Sequence, residues 1–373
     1  MCTSLQYTDL NGSPYYGRTL ELEVDEPWIL VYVPPKTPFE SKGPDTKPVS
    51  YVGKYGFIAV TAPNRMPTEE EPLTANDLKV IEGMNTEGVT FSLLAYASTG
   101  VEHETAQRTM AALEAWDAGS WVLSQAASVG EVKTELAEHP DSVHLPRVKL
   151  IGDAVFPFHL VIHDKTGASI VVEWHRGELH VYDNPVGVMT NGPEFPWHMT
   201  NLGNYTHLTN IDHSAATFNG VAVRQPDSGI ATAGLPSSDT AVDRFVRAVF
   251  YTNFVEKVKD PDKALLNLSR IMNKFDRARG VSVIPGKPGG GKGTYQGIES
   301  GDSDIQTEYT VWTDMADLER KLFYFRSYDQ FNWSSFDLDV ISKSADGVRV
   351  VMTHKLSPNG GDATQELLAG VMH

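Results

Sequence analysis

A single cysteine in 373 residues leaves no intramolecular disulfide to form, so cysteine usage does not assign a compartment. Basic residues are scarce beside acidic ones: 31 Lys and Arg against 48 Asp and Glu give a formal net charge of −17. That balance argues against a nucleic-acid partner, because phosphate binding needs clustered Lys and Arg. It also argues against docking on an anionic membrane surface. No apolar run reaches transmembrane length. No leader-like segment precedes Cys2, so the chain is expected to be soluble and cytoplasmic as written, or periplasmic if Met1 replaces a removed signal peptide. There is no Gly-x-Ser-x-Gly turn to expose a serine nucleophile. His103-Glu104 lacks the second histidine of a zinc helix. His159 and His163 lie four apart on a predicted strand with apolar flanks and no third ligand. No metal and no cofactor is expected.

What is present supports a large core, since 41% of residues are hydrophobic and no composition break marks a linker. The whole chain, residues 2–373, is read as one domain. Cys2–Tyr7 predicts a strand that turns at Asp9–Ser13, where Asn11-Gly12 supplies the positive φ of a hairpin. The return, Tyr15–Glu23, alternates Leu20, Leu22 and Val24 with Glu21, Glu23 and Asp25, the pattern of a strand with one wet face. Further strands are predicted at Trp28–Pro34, Tyr51–Val60, Gly88–Tyr96, Phe158–His163, Ser169–Trp174, Glu178–Tyr182, Glu308–Thr313 and Lys321–Tyr328. Helices are predicted at Glu104–Gln125, from a Ser128/Glu131 capping box to Leu136, from a Ser238 cap to Val258, and at Asp262–Phe275. Residues 183–236 read as loops and the tail as short strands and turns. Blocks of antiparallel hairpins with helices between them, rather than regular βαβ alternation, predict an α+β protein of stacked sheets covered by helices.

Two stretches compete for chemistry. Gly286–Thr294 scans like a phosphate-binding loop, but the residues after it make a poor helix, and such a loop needs a helix N-terminus aimed at the anion. The chain's beginning offers another possibility. Removal of Met1 would give Cys2 both a thiol and a free α-amine, with ordinary pKa values of roughly 8.5 and 7.7–8.0. One residue would then hold a nucleophile and its base. Asn191, in Thr190-Asn191-Gly192-Pro193, is a candidate oxyanion donor. Arg244 and Arg247 share one face of the Ser238–Val258 helix, either as a solvated pair beside Asp239 and Asp243 or as cations lowering a thiol pKa.

Together these pieces resemble the choloylglycine hydrolase family, the bile salt hydrolases and penicillin V acylases among the N-terminal-nucleophile hydrolases. The likeness is carried by Met1-Cys2-Thr3, Gly17-Arg18-Thr19-Leu20-Glu21, Gly83–Val89, Tyr182–Asn191, Leu202-Gly203-Asn204-Tyr205, Gly234–Ser238, Arg244–Ala248 and Glu308–Thr313, in that order. The resemblance implies a four-layer αββα sandwich of two antiparallel sheets. It implies an amidohydrolase in which Cys2 attacks a linear amide carbonyl and its own α-amine is the base. Arg18 then stabilises the thiolate, Asn191 and the backbone N–H of Ala95 hold the oxyanion, and Arg244 is the second arginine. Glu21 stands where the family usually has Asp. Ala95 stands where bile salt hydrolases carry Asn and penicillin V acylases Tyr; a one-residue shift would put Tyr96 there. The candidate pocket walls are Leu20, Trp28, Tyr96, Phe156 and Phe195. A penicillin V acylase that also cuts N-acyl amides such as acyl-homoserine lactones is the first expectation and a bile salt hydrolase the second. A nucleotide-binding module through residues 286–294 is the distant third. The partners expected are a small acyl amide and further copies of the chain, a homotetramer by resemblance.

Overall fold

The computed structural model describes the chain except residues 24–26, 44–46, 66–69, 72, 97–111, 141, 146, 149–153, 176–177, 286–304 and 373. The Gly286–Thr294 loop and the first half of the helix expected at Glu104–Gln125 lie outside the described residues.

The first hairpin forms where the alternation and Asn11-Gly12 place it: Cys2–Thr8 pairs antiparallel with Pro14–Leu22, Ser4 opposite Arg18 and Cys2 opposite Leu20. This hairpin supplies the second and third strands of a seven-stranded sheet. Its order is Val188–Met189, Cys2–Thr8, Pro14–Leu22, Tyr309–Asp317, Leu322–Ser327, Ser334–Asp337 and Gly361–Asp362. An eight-stranded sheet lies against it in the order Glu178–Asp183, Ser169–His175, Phe158–His163, Thr90–Ala95, Leu78–Asn85, Phe57–Pro63, Ile29–Val33 and Arg349–Met352. Tyr16 and Arg18 of the first sheet reach Glu82, Ser92 and Leu93 of the second, so the sheets stack face to face.

Helices cover both outer faces. Ala241–Phe254 and Pro261–Met272 pack on the first sheet, and Ala118–Gln125 and Val129–Glu138 on the second. The result is a four-layer αββα sandwich, the architecture that the resemblance implies. Asp260 caps the Pro261–Met272 helix by accepting from the Asp262 and Lys263 N–H groups, and Pro261 sits at the first helical position, where no N–H is needed. A Cβ on Gly17 would stand 2.6 Å from Met272 Sδ, so glycine is what lets this helix close on the strand beside Arg18.

The wet face expected along Tyr15–Glu23 is absent: Arg18 and Glu21 are both buried, because sheet and helix cover the two faces of that strand. A strand with polar residues and no water on either face is therefore where the site forms. The stretch expected as one strand at Tyr51–Val60 divides at Gly53–Gly56. Val49–Val52 leaves to pair with Pro38–Ser41, and Phe57–Pro63 enters the eight-stranded sheet. Leu78–Asn85, unmarked in the sequence, is a central strand. Before Ala118 the chain is a short strand, Leu113–Glu114, and a 3-10 turn, so Leu113 and Trp116 are not helical. Thr240, not Ser238, caps the next helix, which ends at Phe254. Residues 183–236 contain a helix, Phe195–Leu202, and an exposed hairpin, Ala215–Phe218 with Val221–Arg224. The tail carries two further helices, Leu338–Ser344 and Thr364–Ala369.

Candidate active site

Side chains alternate across a strand, so Cys2, Ser4, Tyr16, Arg18 and Leu20 share the face between the sheets. Cys2 is 2% exposed. Arg18 Nη2 donates to Cys2 Sγ at 3.4 Å and to the Leu93 carbonyl at 2.6 Å, and its guanidinium lies over the Trp312 ring. Behind it stand two buried acids. Glu82 Oε2 is 3.6 Å from Arg18 Nε, and Asp314 sits directly opposite Arg18 on the next strand. Neither Asp314 oxygen has a hydrogen-bond partner among the described residues. Burial pulls the Arg18 pKa down, but the charges of Cys2, Glu82, Tyr16 and Asp314 outweigh it and hold it above its ordinary value. Burial pushes Asp314 well up. Burial likewise pushes Glu82 up, to about 7, against the opposing pull of Arg18 and its hydrogen bonds. One guanidinium does not keep two buried carboxylates charged.

This has a measurable consequence. Glutamate gives up its proton near 4.5 when exposed, whereas Glu82 in the fold keeps it to about 7. Between those values the folded chain binds the extra proton, so the stability contributed here falls as pH rises from 4.5 to 7 and is level above it. Across that window the thermal midpoint of the wild type is expected to fall relative to Glu82→Gln, whose amide oxygen still accepts from Tyr16. Melting curves that stay parallel in pH would refute the assignment.

Met1 extends the first hairpin by one residue. Its amine donates to Glu21 O and to Glu308 Oε1, both at 2.6 Å, and its carbonyl accepts from Glu21 N at 2.8 Å. Arg277 Nη1 holds the other Glu308 oxygen at 2.7 Å. Glu21 sits at a bulge where the pairing with Tyr309–Asp317 shifts register. Its Oε1 accepts from Thr310 Oγ1 at 3.2 Å, and its buried Oε2 has no partner among the described residues.

The Cys2 N–H donates to Asn191 Oδ1 at 2.9 Å. Arg244 Nη2 donates to the same oxygen at 2.7 Å. Arg244 Nη1 bonds Thr3 Oγ1 at 2.7 Å and the Cys2 carbonyl, and its Nε bonds Asp239 O at 2.9 Å. Burial holds the Arg244 pKa below its ordinary value, with Glu21 and Cys2 opposing. With Oδ1 committed to two donors, the Asn191 amide is oriented: Nδ2 donates one hydrogen to the Ala95 carbonyl at 2.7 Å and has a second to give. Five segments thus meet here, from residues 2, 18, 95, 191 and 244. Arg247, on the same helix, turns instead to Asp239 and Ser238 O.

The five proposed walls are all buried. Trp28 packs edge-on against Trp312, and Leu20 shares the Cys2 face. Tyr96 stacks on His159 and bonds His175 Nδ1 at 3.0 Å; Phe156 packs among Trp116, Phe158 and Trp174; Phe195 lies between Tyr182 and Phe245. Of these, Leu20 and Trp28 adjoin the Cys2 and Arg18 cluster and Tyr96 and Phe195 pack around His159, Tyr182 and Phe245, whereas Phe156 joins Trp116 and Trp174 beneath the helices on the outer face of the eight-stranded sheet and is not brought to the site. His163 is paired with Ser4 Oγ at 3.4 Å and is pushed down to about 3 by burial. Sequence reasoning missed Glu82, Asp314 and Glu308. For Glu82 the signal was there: a carboxylate between Val80-Ile81 and Gly83-Met84, in an otherwise apolar stretch.

Comparison with known proteins assigns the family and the fold. Residues 2–343 match the linear amide C–N hydrolases, choloylglycine hydrolase family. The chain is 29% identical over 347 residues to a conjugated bile acid hydrolase of Lactobacillus acidophilus, covering 91% of this chain and 96% of that one. It is 25% identical over 340 residues to a bile salt hydrolase/transferase of Lactiplantibacillus plantarum, covering 91% and 93%. In fold it is similar to the C2A mutant of a Clostridium perfringens conjugated bile acid hydrolase (TM-score 0.73, 21% identity, 97% and 98% covered). It is similar also to a penicillin V acylase of Agrobacterium tumefaciens (TM-score 0.71, 21% identity, 98% and 96% covered). The chain belongs to the choloylglycine hydrolase family and is a linear amide hydrolase of the N-terminal-nucleophile type.

Proposed function

We propose that this hydrolase acts after loss of Met1, with Cys2 as nucleophile and its freed α-amine as base, on amides that carry a bulky apolar acyl group. The observation that carries the reading is the convergence on one residue: Arg18 at the Cys2 thiol, Asn191 at its nitrogen and Arg244 at its carbonyl. The amine takes the thiol proton as sulfur attacks the carbonyl carbon, and the C=O electrons move to oxygen. The second Asn191 Nδ2 hydrogen and the Ala95 N–H receive that oxyanion. Collapse breaks the C–N bond, the α-ammonium returns the proton to the leaving amine, and a thioester remains on Cys2. Water, deprotonated by the same amine, then releases the acid. Arg18 holds the thiolate, and the unpaired Glu21 Oε2 is the carboxylate that receives the freed ammonium. Leu20 and Trp28, beside the Cys2 and Arg18 cluster, are the walls proposed for the acyl group.

Penicillin V is the substrate placed first, on the one-residue shift that puts Tyr96 where penicillin V acylases carry Tyr; Ala95 itself carries the marker of neither class. Conjugated bile salts are second, favoured by the names of the curated relatives. The test is a panel of penicillin V, glycocholate and a long-chain acyl-homoserine lactone, read by release of the amine. Turnover of penicillin V above the others is expected, and no turnover of any of the three sinks the proposal. Homo-oligomerisation is supported by the exposed Phe218, Val221 and Val223 on the 215–224 hairpin. The preparation assayed is expected to elute from a sizing column as a multiple of 41.0 kDa; elution as a monomer would exclude it.

A further inference from the structure

A second set of buried titratable groups that the reaction above does not use lies against the main chain of Thr190 and Asn191. His159, Glu173 and His198 are each fully buried. His198 Nε2 meets the Asn191 carbonyl at 2.9 Å, and His159 Nε2 meets the Thr190 carbonyl at 3.1 Å. A carbonyl only accepts, so both Nε2 atoms carry hydrogen. His198 Nδ1 has no partner among the described residues, and burial pushes its pKa down, so the ring is the neutral Nε2–H tautomer. That ring stacks on Phe245, the neighbour of Arg244, with centroids 4.5 Å apart.

His159 is held in turn. Its Nδ1 is 3.0 Å from Glu173 Oε1. The Glu173 oxygens also accept from the Phe195 N–H, at 3.2 and 3.1 Å, and Oε2 lies 3.2 Å from His175 Nε2. Tyr96 stacks on the His159 ring at 5.0 Å and closes the set through His175. The segment 190–195 is therefore anchored at three main-chain atoms: two carbonyls by two imidazoles, and one N–H by the carboxylate that holds the first imidazole. Asn191 is within that span.

From this geometry we propose that His198 and the His159–Glu173 pair are positioning residues for the reaction: they fix the main chain on which the Asn191 amide is aimed at the oxyanion. The inference rests on the role given to Asn191 above. The side chain of Asn191 is oriented by Arg244 and Cys2 N, but the position of its Cα is set from behind. An oxyanion donor displaced by about 1 Å loses on the order of 10²-fold in rate. The sulfur is held by Arg18, and Cys2 meets Asn191 only through its nitrogen, at the side-chain oxygen, so alkylation at sulfur is not expected to follow the fall in turnover.

The decisive variant is His198→Phe, which keeps a ring against Phe245 and deletes the N–H. Its kcat is expected to fall roughly 10–100-fold, with KM within about threefold of wild type and iodoacetamide alkylation of Cys2 at the wild-type rate. His198→Gln, which can carry an amide N–H to the same carbonyl, is expected to recover most of the loss. Wild-type kcat in His198→Phe overturns the inference. So does a parallel fall of kcat and alkylation that glutamine does not rescue, which is the mark of general disruption. Should His198→Phe fail to fold, His159→Leu against His159→Gln makes the same comparison at Thr190. A wild-type enzyme that cleaves no amide overturns the role of Asn191 as well; a wild type that cleaves, beside an unimpaired His198→Phe, overturns this inference alone.

Discussion

Cys2→Ala is expected to lose amide hydrolysis by at least about 10⁴-fold while folding normally. The loss follows because the thiol is the only sulfur nucleophile in the chain and no other side chain takes its place at the Cys2 Sγ position beside Arg18. Folding is spared because the bonds Cys2 makes to its surroundings are mostly main-chain ones: its N–H to Asn191 and its carbonyl to Arg244, both of which alanine keeps. Arg18 loses one contact and retains the Leu93 carbonyl and Glu82. Initial rates with the best substrate of the panel, beside far- and near-ultraviolet circular dichroism, read the two halves separately. Full activity in Cys2→Ala would end the proposed mechanism. Intact mass supplies a second arm. A chain that retains Met1 has an amide nitrogen on Cys2, which is no base, and its amine lies instead against Glu308. Such a chain is expected to be inactive, and the fraction of processed chain in a preparation should track its specific activity.

Arg244→Leu is expected to be the most disruptive change in the site, lowering activity by more than about 100-fold and stability by roughly 3–5 kcal/mol. One guanidinium here joins three segments. It bonds the Cys2 carbonyl and Thr3 Oγ1 on the first strand, Asn191 Oδ1, and Asp239 O before its own helix. Leucine takes the Arg244 donor from the buried Cys2 carbonyl and Thr3 Oγ1 and one of two donors from Asn191 Oδ1, and an unmet buried acceptor costs far more than a surface one. It also frees the Asn191 amide to turn over. Urea unfolding gives the stability, and kcat measured well below the unfolding midpoint gives the catalytic part. Arg244→Lys keeps the charge but not the fork, and is expected to recover part of the stability and little of the rate. An Arg244→Leu enzyme with wild-type kcat would remove Arg244 and its hold on Asn191 from the mechanism.

Much of the fold is legible in local pattern. Strands at Phe158–His163, Ser169–His175 and Glu178–Asp183, and the turn at Asp164–Gly167, lie where alternation and turn residues put them. Ser128 caps its helix as expected, its Oγ accepting from Glu131 N at 3.2 Å, while the Glu131 carboxylate closes one residue early, Oε2 accepting from Ala127 N at 2.9 Å rather than from Ser128 N. Leu78–Asn85 escapes notice because Glu82, Gly83 and Asn85 interrupt its apolar run. Each interruption has a tertiary reason: Glu82 faces Arg18, a Cβ on Gly83 would stand 2.5 Å from Ile58 O, and Asn85 Nδ2 ties down Leu123 O and Ala126 O.

The sequence by itself determined the hairpin at the N-terminus, the helix that carries Arg244, the family, and the membership of Cys2, Arg18, Asn191 and Arg244 in one order along the chain. These rest on short-range periodicity and on motif order, which survive without coordinates. Only the tertiary structure decided that Glu21 and Arg18 are dry, that two acids share the space behind Arg18, and that Glu308 receives the amine of Met1. It alone placed two histidines behind Asn191. Burial and partnership between residues tens to hundreds of positions apart depend on how two sheets stack and which faces the helices cover. A linear pattern of polar and apolar residues reports only that each strand has two faces, not that both are taken out of water.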